Sequence, residues 1–314
     1  MPVSIIIPTR NRSTSLARCL DAVIPQIKRG DEVTVVDNAS TDNTKKYMGS
    51  LKHIKQLRYV YEPNIGPSYA RNHGYKLSKN TIIAFLDDDC EAASDWLDTI
   101  KAIIASGGSS QSVYLGKIIH RFPSLGLLEE LFLLRHQLDW QQIMAGPLWK
   151  THRKVDFLHA GNVFASKTIL SRISPLFDEI QFPFIGEERD LACRLQLNGV
   201  SIQYVPTVSV IHHKTTIRFL SSIRIAILLG VSQGKLRKRY FANNTIRKLF
   251  KKDQKEHKPT TSIYGPIFQK YKYNPIVLFW AMSITAIKKT LFYISSWFTF
   301  TFYKEPVGNN NDLI

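Results

Sequence analysis

The 314 residues carry 42 Lys+Arg against 25 Asp+Glu, a formal net charge of +17, with 44% hydrophobic and 21% charged residues. That balance excludes wholesale disorder and suits one sizeable domain with an appendage. Three scattered cysteines (Cys19, Cys90, Cys193) exclude a disulfide framework and a structural zinc site, so a reducing, cytoplasmic setting is expected. The first apolar stretch is short and has no charged lead-in, so no secretory signal is expected.

Residues 3–7 (VSIII) are a β-branched run stopped by Pro8 and read as a buried strand. Ser13 or Thr14 then caps a helix with Leu16, Cys19, Leu20 and Val23 at helical spacing, ending near Pro25. Residues 32–36 give a second strand with Asp37 at its carboxyl end, and Thr41 or Asp42 caps the next helix. A third strand at 57–61, a third helix at 66–77 and a fourth strand at 81–86 follow, the last running into Asp87, Asp88 and Asp89. Strands alternating with helices predict an α/β fold with a mostly parallel, doubly wound sheet. Such sheets bind ligands outside the carboxyl ends of their strands, where Thr9, Asp37 and the three aspartates fall.

Neither G-x-G-x-x-G nor G-x-x-x-x-G-K-[ST] is present, so no glycine cradle is available for phosphates. The aspartate run can instead hold a divalent cation such as Mn²⁺ or Mg²⁺, which takes carboxylate oxygens and phosphate oxygens together.

Five segments in order, SIIIPTRNR, DEVTVVDNASTDNT, NIGPSYARNHG, TIIAFLDDDC and GEERDLACRL, resemble the successive signatures of family 2 glycosyltransferases. The likeness covers about residues 3–213 and implies the GT-A fold, a nucleotide-sugar donor, a divalent cation and transfer with inversion. It implies that Pro8, Thr9 and Asp37 hold the nucleobase and ribose, with Arg71 and Asn72 flanking the nucleotide pocket. Within the Asp87, Asp88, Asp89 run, Asp87 would meet the ribose and Asp89 the metal bridging the diphosphate. Gly161 and Asn162 would lie under the donor sugar, and His212 would complete the metal site. Glu187 and Glu188 match the acidic pair whose second member is the general base; the base role stays open between them. The chemistry agrees, since a departing diphosphate needs a cation and an attacking hydroxyl needs a carboxylate to take its proton.

Three positions depart from the family pattern. Asn38-Ala39 replaces the common Asp-Gly, Cys90 replaces a frequent aspartate and reads as a packing residue, and Glu188 replaces Asp. His159 reads as structural and is left outside the site.

The charge is uneven. Residues 214–314 hold 18 Lys+Arg and 4 Asp+Glu, and residues 1–213 hold 24 and 21, so the excess belongs to the C-terminal third. The expected division is therefore a catalytic domain at 1–213 and a basic, partly helical attachment region at 214–314. Residues 235–258 have ten basic and two acidic residues, and two uncharged 13-residue segments (275–287 and 291–303) follow, split by Lys288 and Lys289. Each is short of the ~20 apolar residues that span a bilayer. A polybasic run beside aromatic segments predicts a peripheral site at an anionic inner membrane face, as interfacial segments or a shallow hairpin. Residues 122–150 carry an apolar helical face that reads first as a helix packed on the sheet, and alternatively as a membrane-interface or lipid-acceptor surface. The competing readings are a sugar-phosphate nucleotidyltransferase, an inactive membrane-bound scaffold, and a nucleic-acid binder; no nucleic-acid motif is visible, and none is expected as partner.

Overall fold

The computed structural model describes residues 1–106, 112–121, 153–155, 157–213, 219–244, 246 and 275–303. The apolar segment at 122–150 and the basic run beyond 246 lie outside the described residues. The chain divides into two compact units, one built from Met1–Gly126 and His136–Thr216, the other from Leu127–Arg135 and Ile217–Ile314.

The first unit is a nine-stranded sheet between helices. Strands β1 (Val3–Thr9), β2 (Glu32–Asp37), β3 (Leu57–Tyr61) and β4 (Ile82–Leu86) are followed by β5 (Cys90–Ala92), β6 (Ser112–Arg121), β7 (Arg153–Val155), β8 (Asn162–Ser166) and β9 (Ser201–His213). Their order is β3-β2-β1-β4-β8-β6-β9-β5, with β7 beside β9. The β1–β2, β1–β4 and β2–β3 pairs are parallel, as the alternating pattern predicts. In the other half β8 lies antiparallel to both β4 and β6, and β5 and β7 lie antiparallel to β9, while β6 and β9 run parallel. The sheet is therefore mixed, because strand–helix alternation stops at β4 and β8 enters from the other end.

Alternation along the strands sends side chains to two cores. Val3, Ile5, Ile7, Val33, Val35, Ile82 and Ala84 face α1 (Ser13–Val23) and α4 (Trp96–Ala105), which supply Leu16, Leu20, Trp96, Leu97 and Ile100. Ile6, Val36, Ile83 and Phe85 face Ala70 of α3 (Pro67–Leu77), Ile169 and Leu170 of α5 (Lys167–Leu170), and Leu191, Ala192 and Leu195 of α6 (Glu187–Leu197). A short α2 (Thr44–Ser50) adds Met48 to the first core.

Pro8 does not end β1, which continues to Thr9. Pairing with β4 stops at Ile6 while pairing with β2 runs on through Pro8 and Thr9. Proline thus sits where one neighbour strand has already left, the position at which a missing N–H costs least. Asp42 serves both adjoining helices: Oδ2 accepts from the Ser13 N–H and Oδ1 from the Thr44 N–H, each at 3.0 Å.

The second unit contains α7 (Phe219–Arg239) and α8 (Pro275–Phe302). The two 13-residue segments read from the sequence are thus one 28-residue helix. The helices approach backbone to backbone at Gly230 and Gly234, where a Cβ would strike the Phe292 carbonyl and the Ser296 carbonyl. The four-residue spacing stacks both glycines on one helix face. Among the described residues no helix is long and apolar enough to cross a membrane.

Candidate active site

Parallel pairing brings the first polar groups together. Thr9 and Asp37 are direct partners across β1 and β2, and the Asn38 N–H donates to the Thr9 carbonyl at 2.8 Å. Asp37 is buried; its Oδ2 accepts from the Tyr59 hydroxyl at 2.7 Å and its Oδ1 from the Ser40 N–H at 2.9 Å. The turn beyond needs a left-handed residue, and Ala39 takes φ +57° without being glycine. Asn38 steadies it by donating to the Asn64 carbonyl at 2.6 Å and accepting from the Gly66 N–H at 2.7 Å.

The aspartate run forms a turn between β4 and β5, closed by the Cys90 N–H on the Asp87 carbonyl at 3.0 Å. Its three carboxylates turn to different partners. Asp87 meets Arg71 at 2.9 Å, and Asp88 accepts from the Thr9 hydroxyl at 2.7 Å. Asp89 has one oxygen 2.9 Å from His212 Nε2 and the other 2.9 Å from the Arg12 guanidinium. The approach of His212 follows from register: β5 and β9 pair with Cys90 opposite His212, and the His213 N–H donates to the Asp89 carbonyl. Alternation turns His213 the other way, onto Glu91 at 2.7 Å.

Arg71 connects the two halves of the site. Its guanidinium is buried and binds Asp87 at 2.9 Å and Glu187 at 3.0 Å. Helix α3 is held in place for this by Ser68 and Asn72, one turn apart. The Ser68 hydroxyl donates to the Phe182 carbonyl at 2.6 Å, and the Asn72 amide both donates to the Phe177 carbonyl at 2.7 Å and accepts from its N–H at 3.0 Å. Asn72 also hydrogen-bonds Glu179. Its side chain is therefore a clamp on residues 177–179 rather than a group aimed at a pocket.

The acidic pair opens α6 after Gly186, whose φ of +99° turns the chain into the helix. Adjacent residues on a helix point about 100° apart, and the two carboxylates separate accordingly. Glu187 is buried on Arg71. Glu188 keeps a quarter of its side chain exposed and accepts from the Ala160 N–H at 2.6 Å. Asp190, fully buried, binds Arg194 one turn on at 2.7 Å, and Arg194 grips the Pro175 and Leu176 carbonyls.

Gly161 lies under this cluster: a Cβ there would reach within 3.0 Å of Asp87 Oδ2. Asn162 turns inward instead. It is completely buried, accepts from Trp96 Nε1 at 2.9 Å, and donates to the Val208 and Lys117 carbonyls at 3.0 and 3.1 Å. Both ends of its amide are used inside the sheet, which departs from the donor contact that the resemblance implies.

Two residues outside the sequence-derived set belong to the cluster. Arg12 lies on Asp88 and Asp89 while keeping nearly half of its side chain exposed. Its signal was available as a cation in TRNR, on the first loop of the same sheet edge as the aspartates. His159, read from sequence as structural, has Nδ1 3.6 Å from Glu188 Oε1 and accepts from the Gly161 N–H at 3.3 Å. The longer approach exceeds hydrogen-bond range. No spacing rule marks this histidine, because Glu188 reaches it from 29 residues downstream.

The ionisation states follow from burial and partners. Burial alone would raise Asp87, but Arg71 and then His159 hold its carboxyl at about 2. For Asp88 burial prevails over Arg12, aided by repulsion from Asp89 and Asp87, and the group rises to about 6. Burial likewise lifts Glu187 to about 7, with Arg71 opposing and Glu188 adding. Asp89 resists its burial through the hydrogen bond and charge of His212 and stays below the usual range. Burial would lower Arg71, yet Asp87, Glu187 and Glu188 outweigh it.

Ligand atoms of Asp89, Cys90 and His212 lie within 4.8 Å of one another. Among the described residues, His212 Nδ1 is buried without a hydrogen-bond partner. A carboxylate beside an imidazole fits a divalent cation, and the mixed oxygen–nitrogen set suits Mn²⁺ better than the strictly oxygen-seeking Mg²⁺. Cys90 is almost wholly buried within the apolar core, consistent with packing.

A family model described as Glycosyl transferase family 2 matches residues 4–127. Glycosyltransferase AglE of Haloferax volcanii is 34% identical over 134 residues, 41% of this chain and 43% of that protein. The chain spans less than half the length of the curated relatives it matches first. Among solved structures, mannosyltransferase PcManGT from Pyrobaculum calidifontis, in complex with GDP-Man and Mn²⁺, superposes with a TM-score of 0.55 at 17% identity, covering 96% of this chain and 88% of that one. GalNAc-T7 with UDP, GalNAc and Mn²⁺ gives 0.56 at 15% identity, over 92% and 57%. These likenesses establish a shared GT-A type fold.

Proposed function

We propose that this chain, whose residues 4–127 match the family 2 glycosyltransferase model, moves a sugar from a nucleotide-diphosphate sugar to a hydroxyl acceptor, with inversion and with a bound Mn²⁺ or Mg²⁺. One observation carries the reading: Arg71 binds Asp87 and Glu187 together, while Glu188 stays partly exposed and is held by the Ala160 N–H. The site thus has a donor end and an acceptor end joined by one buried cation.

At the donor end, Pro8 and Thr9 line the nucleoside side and Asp37 presents a fixed carboxylate to the base and ribose. Asp87, ionised down to about pH 2, is ready to accept from a ribose hydroxyl. Asp89 and His212 would hold the cation, with Asp88 and Arg12 beside them. The cation, when bound, neutralises charge on the leaving diphosphate.

At the acceptor end Glu188 takes the proton. The acceptor oxygen forms a bond to the anomeric carbon as its hydrogen passes to the Glu188 carboxylate. The bond from that carbon to the β-phosphate oxygen breaks, and its electron pair leaves with the nucleoside diphosphate. The Ala160 N–H holds Glu188 in place, and the start of α6 favours its anionic form. Glu187 is the positioning partner, because its carboxylate is committed to Arg71. A single base on the face opposite the leaving group makes the outcome inversion.

The relatives in complex with UDP, GDP-Man and Mn²⁺ support a nucleotide-sugar donor. A lipid-linked or surface-glycan acceptor is the class that a basic, membrane-seeking appendage would deliver. Incubation with a panel of nucleotide sugars, Mn²⁺ and a lipid-linked acceptor tests the reading. Release of nucleoside diphosphate from one donor is expected. Pyrophosphate released from a nucleoside triphosphate and a sugar phosphate would instead make it a nucleotidyltransferase.

A further inference from the structure

Among the described residues, helix α8 carries an exposed apolar face. Ile287, Tyr293, Ile294, Trp297, Phe298 and Phe302 are each between 47% and 62% exposed. At 100° per residue they fall within one arc, roughly 180° wide. The opposite side of the helix holds Ser296 and Thr299, both buried, together with the Phe292 and Ser296 carbonyls that meet the glycines of α7. Lys288 and Lys289 lie outside the apolar arc, one on each flank of that packed side. The two charges that break the segment in sequence therefore do not break the face.

We propose that this face of α8 is a docking surface for an anionic lipid bilayer, with the helix lying along the interface. Charge selects this occupant. Residues 214–314 hold 18 Lys+Arg and only 4 Asp+Glu. Part of that charge is placed beside the aromatic end of the face: Lys235 Nζ sits 4.9 Å from the centroid of the Tyr303 ring, and Lys238 donates to the Tyr303 carbonyl. Arg237 and Arg239 share the same last turn of α7. Apolar and aromatic side chains with basic residues alongside are the two signals needed for stable attachment to negatively charged headgroups. A second copy would bring the same excess of positive charge against itself, which opposes association through this face. The surface stands apart from the transfer reaction and does not depend on it.

The three native cysteines are buried, so one introduced exposed cysteine can be labelled selectively in the full chain. An environment-sensitive fluorophore on Ile294→Cys should shift to the blue on vesicles of phosphatidylcholine with phosphatidylserine, and much less on phosphatidylcholine alone. The same label on Lys289→Cys should stay in water on both. The double change Trp297→Glu with Phe298→Glu should weaken vesicle binding by at least about tenfold, since two rings leave the bilayer and two negative charges face anionic headgroups. Helical circular dichroism of this variant, unchanged from the parent, shows that the fold is intact. Wild-type binding by the double variant, or a label at 294 that stays aqueous on anionic vesicles, would overturn the proposal. So would a vesicle-free dimer in which that label is already shielded.

Discussion

The two units put their charges and their aromatic rings in opposite places. In the first, Arg71, Asp87, Glu187, Asp190 and Arg194 are withdrawn from water and matched in pairs, while apolar groups fill two cores on either side of a sheet. In the second, small residues occupy the seam between two helices, and rings of Tyr293, Trp297 and Phe298 stand outside. The difference teaches what each is built to hold. Buried paired charges fix side chains to within hydrogen-bond tolerance, which chemistry on a small polar ligand requires. An exposed apolar arc fixes nothing and suits a fluid, extended partner.

Changes at the two seams should separate these designs. Arg71→Met leaves two buried carboxylates without their cation, and unfolding of the first unit should become easier by about 3–5 kcal/mol. Denaturant titration of that transition measures it; a loss below about 1 kcal/mol would mean that water already reaches the pair. Gly230→Leu drives a side chain into the backbone of α8 and should cost about 1–3 kcal/mol in the second unit. Faster amide exchange across residues 219–239 and 275–302 is the readout. The smallest effect belongs to the turn after β2. Ala39→Gly relieves a left-handed residue costing about 1–2 kcal/mol, offset by about 0.4–1 kcal/mol of extra freedom in the unfolded chain. A net gain of about 0.5 kcal/mol is expected, visible as a small rise in melting temperature.

Much of the first unit could be read from its residues. Parallel strands carry near-continuous apolar runs, and their ends place Thr9, Asp37 and the aspartates on one edge without further information. The placement of β8 could not be read, because residues 162–166 find their partners only when the chain returns between β4 and β6. The asparagines show a second limit. Asn72 and Asn162 sit in motifs, yet an amide is as able to clamp backbone as to meet a ligand, and only the folded neighbours decide. The sequence favoured Glu188 as base but left the role open to Glu187, which the fold commits to Arg71. In the second unit, two lysines seemed to divide an apolar stretch because the packed side of the helix was unknown. Gly230 and Gly234 were the available sign: two glycines four apart mark where another helix comes close.

The assignment of Glu188 as base is the claim on which the site reading turns. Glu188→Gln preserves shape and the hydrogen bond from Ala160 but cannot take a proton. Nucleoside-diphosphate release should fall by about 10²–10⁴-fold while donor binding, followed by calorimetry in the presence of Mn²⁺, stays within a factor of a few. Full turnover by Glu188→Gln, with donor bound as tightly as by the parent, would contradict the account.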